Sequence, residues 1–168
     1  SLYSHFASKQ EILDDVVALV LEGYEEHSIF ADADWDDPEF TKDKEGMTAE
    51  DAAKMIQSQV RYIVHDTAIS RGRKMLVIEQ FRNQELAVLQ TRMNYEDMLK
   101  YFEGMIRFLI RSNTLKDADT EIMAAQLSLP VTVWINLCDR EPDREEEVMG
   151  LVHRHVLQFF DVYAKQNK

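Results

Sequence analysis

The sequence predicts an all-α protein, and three observations carry that prediction. Five Gly and three Pro in 168 residues leave few of the tight turns that many short strands would need. Leu, Met, Glu, Lys, Ala and Gln, which lose little side-chain freedom in a helix, fill the long stretches between them. Behind capping residues, apolar side chains recur at three- and four-residue spacing, the period that lays one stripe along a helix.

Ser8 and Glu11 form the first capping box, in which the hydroxyl accepts from the Glu11 amide and the carboxylate reaches back to the Ser8 amide. Ile12, Leu13, Val16, Val17, Val20, Leu21 and Tyr24 follow and predict a helix of roughly 20 residues, with Asp14, Asp15, Glu22, Glu25 and Glu26 on its other face. From Ala31 to Gly46 the pattern gives way to acids punctuated by Trp35, Pro38 and Phe40, the composition of a loop and the main boundary in the chain. Thr48 with Asp51 caps a second helix through Met55, Ile56, Val60, Ile63 and Val64, expected to stop near Ser70 to Gly72. A run from Arg73 to Phe81 is helical by composition. A longer one, from Gln84 to about Arg111, carries Leu86, Leu89, Met93, Met98, Phe102, Met105, Ile106 and Leu109 around most of its circumference, as a helix with neighbours on several sides does.

Asn113 to Asp119 reads as a turn before a helix from Thr120 to Cys138, which Pro130 should bend because it lacks an amide. Asp143 and Glu146 are expected to cap a final helix from Arg144 to about Lys165. On it, Met149, Leu151, Val152, Val156, Phe159, Phe160, Val162 and Tyr163 cover about half of the surface at about 100° per residue. One core needs less, and the excess predicts a homodimer in which the last two helices pair with their copies as a four-helix bundle. Ile122, Leu129, Val133, Met149, Val152, Val156, Phe160 and Tyr163 are the residues expected at that interface. The alternative is a hairpin buried deep inside a monomer.

The net charge of -12 argues against nucleic acid until its distribution is considered. Residues 1–51 hold three lysines against fifteen acids, so the rest of the chain is balanced. The sequence begins without Met, within a helix-like pattern, and a basic segment is expected ahead of it. A single cysteine, Cys138, forbids an intrachain disulfide, no secretory signal opens the chain, and no unbroken apolar run approaches the ~20 residues of a membrane span. A cytoplasmic location without membrane contact is expected.

The opening Ser1-Leu2-Tyr3-Ser4-His5-Phe6-Ala7-Ser8-Lys9-Gln10-Glu11-Ile12-Leu13 resembles the end of the DNA-binding domain of tetracycline-repressor (TetR) family regulators, whose motif runs Leu-Tyr-x-His-Phe-x-Ser-Lys-x-x-Leu. The resemblance implies that residues 1–7 end a DNA-recognition helix, a remnant of a helix-turn-helix domain. It implies that residues 8–46 form a linking helix and acidic loop, and that 47–168 form a ligand-binding and dimerisation domain. Ser1, Tyr3, Ser4, His5 and Lys9 then become candidates for operator DNA, Lys9 as a phosphate contact in the first turn of a helix. The first two helices of the family's head are absent from the sequence, so this stretch alone should not hold an operator. Thr120 to Tyr163, with Asp139-Arg140-Glu141-Pro142 between its two helices, looks like the family's C-terminal dimerisation pair.

Family members hold an effector among their middle helices, which implies a ligand-responsive regulator, in all expectation a repressor, taking a small apolar or amphipathic effector. Tyr62, His65, Met75, Phe81, Met93, Met98, Phe102 and Trp134 combine apolar bulk with a few polar tips and are the candidate pocket residues. Each type packs in cores more often than it binds. The competing expectation is a helical dimerisation or adaptor module without a pocket. No enzyme, cofactor or metal is expected. No His follows a Glu by three residues, His153 and His155 point to different sides of a helix, and Asp32-x-Asp34-x-Asp36 lacks the glycine and closing glutamate of a calcium loop.

Overall fold

A computed structural model describes residues 9–30 and 33–165, and the fold is all-helical. Its elements are α1 (Lys9–His27), a single turn α2 (Pro38–Thr41), α3 (Ala49–His65), α4 (Thr67–Glu79), α5 (Gln84–Thr91), α6 (Asp97–Arg111), α7 (Thr120–Arg140) and α8 (Glu145–Tyr163). Among the described residues no strand forms, and a lone bridge pairs Leu115 with Ala164.

Capping chemistry sets the helix starts. Thr48 and Asp51 make the expected box on α3, Asn83 accepts from the Leu86 amide at α5, and Asp119 accepts from the Ile122 amide at α7. The break expected near Ser70 to Gly72 lies instead at Asp66, whose carboxylate accepts from the Ile69 amide at 2.9 Å and starts α4. A strong cap overrides a mid-helix glycine. The expected cap of α8 by Asp143 and Glu146 does not form. α8 begins after Arg144 with no side-chain cap, and Glu145, Glu146 and Glu147 set negative charge at the positive end of its dipole. Between α5 and α6 the chain stays helical through a wide π turn, Arg92–Glu96.

Four helices build the larger core. α6 packs along α7 and α3 along α8, closing Ile56, Val60, Met105, Ile106, Leu109, Met123, Leu127, Val148 and Val152 from solvent. The broad apolar arc of α8 is covered here by α3: Met149, Val152, Val156 and Phe160 are buried within the single chain. A second, smaller core joins Tyr24 of α1 to Leu76, Leu86, Leu89 and Met93, with Leu13, Val17, Val20 and Leu21 of α1 packed on its edge.

The segment expected as a loop from Ala31 to Gly46 straps the larger core through its described residues, 33–46. Trp35 is 4% exposed, its ring 5.3 Å from Phe40, 5.5 Å from Tyr101 and 5.8 Å from Phe108. Gly104 makes room for it, because a Cβ there would stand 2.8 Å from Trp35 Cδ1. Arg111 donates to the Trp35 carbonyl and pairs with Asp36, both at 3.0 Å.

α7 continues through Pro130 to Arg140. In the turn ahead of the proline, the Nε2–H of His155 donates to the Leu127 carbonyl at 3.0 Å, a bond that ties α8 to α7. Among the described residues, α7 is the one helix long and apolar enough by composition to cross a membrane, a test that core helices of soluble proteins also pass.

Candidate functional site

A cavity follows the seam between the two cores. Its outer compartment, about 510 Å³ with its solvent-open mouth, is bounded by Val20, Tyr24 and His27 of α1, Phe30, Tyr62 and Ile63 of α3, and Ile69, Gly72, Arg73 and Leu76 of α4. An inner compartment of about 500 Å³, measured the same way, lies among Ile56, Gln59 and Val60, Met98 and Phe102, and Ser128, Val131, Thr132 and Ile135 of α7. Phe30, Ile63, Arg73, Met93 and Asn94 line both. Met93 and Asn94 reach this wall from the π turn, a kind of helix defect that recurs at functional sites. Both compartments are tight: about 50 Å³ of the outer and 40 Å³ of the inner can take the centre of a water molecule, room for a few waters.

Two polar ties hold the walls. Arg73, only 7% exposed, reaches across from α4 to the last turn of α7, where both of its Nη groups donate to the Asp139 carboxylate, one of them at 2.8 Å to Oδ1. Lys74 stands 3.7 Å from the same carboxylate and adds a second cation. On the other side, the C-terminal end of α1 is held at the α3–α4 corner. Tyr62 donates to the His27 carbonyl at 2.9 Å, and the His27 ring lies 3.0 Å from Asp66. The Ile69 amide, with His27 beside it, keeps the Asp66 carboxyl below its ordinary value. Burial pushes Tyr24 up to about 12, so it remains a proton donor to Asp97 at 2.8 Å.

Inside the cavity, the hydroxyls of Ser128 and Thr132 are engaged, the first with the Ala124 carbonyl at 2.7 Å and the second with Met98 Sδ at 3.0 Å. Two lining atoms are not: Arg73 Nε and Gln59 Oε1 are buried without a hydrogen-bond partner. The Gln59 amide nitrogen donates to the Tyr101 hydroxyl at 2.6 Å.

Of the residues expected at a pocket, Tyr62, Met93, Met98 and Phe102 line the cavity. His65 instead turns outward to Glu145 at 2.8 Å, and Phe81 is 91% exposed at the end of α4. Met75 packs on the smaller core, and Trp134 stacks edge-on against His155 beside α8. Ser1, Tyr3, Ser4, His5 and the Lys9 side chain lie outside the described residues. Along α7, Ile122, Leu129 and Val133 form an exposed apolar stripe, 52%, 37% and 62% accessible. Tyr163 donates from α8 to Gln126 at 2.5 Å. Among the described residues no group of three or more His, Cys, Asp or Glu side chains could hold a metal ion.

No family model, curated protein or solved structure matches the chain.

Sequence reasoning missed Arg73, Gln59 and Tyr24. The signal was present for the first two, each a polar residue within an apolar helical face: Arg73 among Ile69 and Leu76, Gln59 among Ile56, Val60 and Ile63. Tyr24 was read as packing, and it both packs and lines the mouth.

Proposed function

We propose that this chain is the sensing and dimerising part of a DNA-binding transcription repressor of the TetR type. The observation that carries the reading is that α1, the helix running on from the TetR-like opening motif, forms one wall of a cavity between two cores. A ligand larger than these tight compartments must widen them, and of the α-helices that line the outer one α1 has the fewest buried side chains, Tyr24 alone among its described residues. Widening therefore moves α1, and with it whatever α1 carries at its N-terminal end. A ligand that prefers the widened state shifts the population away from the spacing that holds an operator. A cavity at this seam favours a receptor over an adaptor without a pocket.

The test is a titration of the intact parent protein against its own upstream DNA at two salt concentrations. Saturable, sequence-selective binding that weakens at higher salt is the expected result. Lys9→Ala should weaken binding to all DNA and flatten that salt dependence. Absence of selective binding would overturn the repressor reading.

Dimerisation rests on the α7 stripe rather than on α8. A charge at Val156 would enter the core of the single chain and unfold it, so the informative variant is Leu129→Glu with Val133→Glu, both exposed. Monomers of unchanged helicity by light scattering and circular dichroism are expected, and an unchanged dimer would overturn the assignment.

A further inference from the structure

We infer that the cavity takes a neutral, largely apolar molecule whose head bears one hydrogen-bond acceptor and one donor, as a primary amide does. This deepens the receptor reading above and rests on it. The walls of both compartments are apolar apart from a few side chains, so most of the ligand must be apolar. Asn94 and Asn136 also line the inner compartment and are partly accessible, so the fully buried polar atoms left over define the rest. Arg73 Nε has an N–H and no acceptor, and Gln59 Oε1 has lone pairs and no donor, although both atoms are buried and both residues line the inner compartment. Buried polar groups in folded proteins are satisfied, so two orphans of opposite kind in one cavity mark what its occupant supplies.

The pairing of Arg73 favours a neutral head. Asp139 already receives both Nη groups of Arg73, so the guanidinium charge is paired and its buried Nε–H is the group left without an acceptor. A carboxylate there would face Asp139 across the guanidinium and would offer Gln59 Oε1 another acceptor in place of a donor.

The experiment measures binding of four probes with one apolar body to the full chain by calorimetry: 3-phenylpropanamide, 4-phenylbutan-2-one, 3-phenylpropionate and butylbenzene. The expected order is amide, then ketone, then hydrocarbon, each step about tenfold, equivalent to about 1.4 kcal/mol. The ketone's advantage over the hydrocarbon should vanish in Arg73→Met with Asp139→Leu, a pair exchanged together so that no buried charge is stranded and the chain still folds. The amide's advantage over the ketone should vanish in Gln59→Leu. Equal binding of amide, ketone and hydrocarbon would overturn this inference while leaving the cavity as a ligand site. Tighter binding of phenylpropionate than of the amide would overturn the neutral head. Binding of none of the four would remove the cavity itself as the sensing site, and with it the receptor reading.

Discussion

The two cores are built on different terms. The larger one, from α3, α6, α7 and α8 with the strap laid over α6, closes nearly all of its side chains from water and adds a continuous aromatic group around Trp35. The smaller one has five buried residues, and α1 contributes one of them, Tyr24. The rest of α1's apolar face is only partly covered, and polar ties at His27 take up part of the task of holding it. A chain arranged this way has one closely packed core and one helix held by fewer buried side chains, and low local stability is expected of the second.

The comparison breaks most visibly at the strap. Trp35→Ala should destabilise the whole chain by about 3–5 kcal/mol, read from urea denaturation with every probe shifting together. Gly104→Ala approaches the same contact from α6 and should cost about 1–3 kcal/mol, because the new methyl cannot fit beside the Trp35 ring. A loss confined to α1 in either variant would place the strap with the smaller core. The tie between the cores comes next. Asp139→Leu alone leaves the Arg73 guanidinium buried without its carboxylate and should cost about 3 kcal/mol, whereas the double variant Arg73→Met with Asp139→Leu should recover most of that. A double-mutant cycle with no coupling would mean the pair does not hold α4 to α7.

The smallest effect sharpens the contrast. Asp66→Ala removes the cap of α4 and the partner of His27 and should cost about 1 kcal/mol. The consequence is local, so amide exchange should quicken in α1 and the start of α4 and stay unchanged in α8. Acid should act likewise. The Asp66 carboxyl is lowered in the folded chain, so its contribution is complete above about pH 4 and is lost as pH falls through the folded value. Exchange in α8 quickening as much as in α1 on the same acid titration would show that the two cores open as one.

Much of this fold was legible because helix starts are written locally. Thr48 sits ahead of an apolar stripe and was read as a cap, and Asn83 and Asp119, not singled out in the sequence, act likewise, each accepting from the amide three residues on. What was not legible depends on neighbours distant in sequence. Trp35 amid acids reads as loop until Gly104, far along the chain, supplies a notch for it. The apolar arc of α8 reads as a surface for a second copy until α3 lies along it. The cavity shows the same division. Met93, Met98 and Phe102 follow from helical spacing, yet nothing near His65 or Phe81 in the sequence says that those side chains face water, while Arg73 finds its partner sixty-six residues away.

The π turn at Arg92–Glu96 carries a further consequence. Such a turn holds one more residue than an α turn over nearly the same rise, so loss of a single residue there would rewind it as a plain α turn and leave α5 and α6 in place. The wide turn that brings Met93 and Asn94 to both compartments would be lost although neither had been replaced. The shape of the cavity is therefore stored partly as a count of residues, and a one-codon deletion would erase it more completely than most substitutions at its walls.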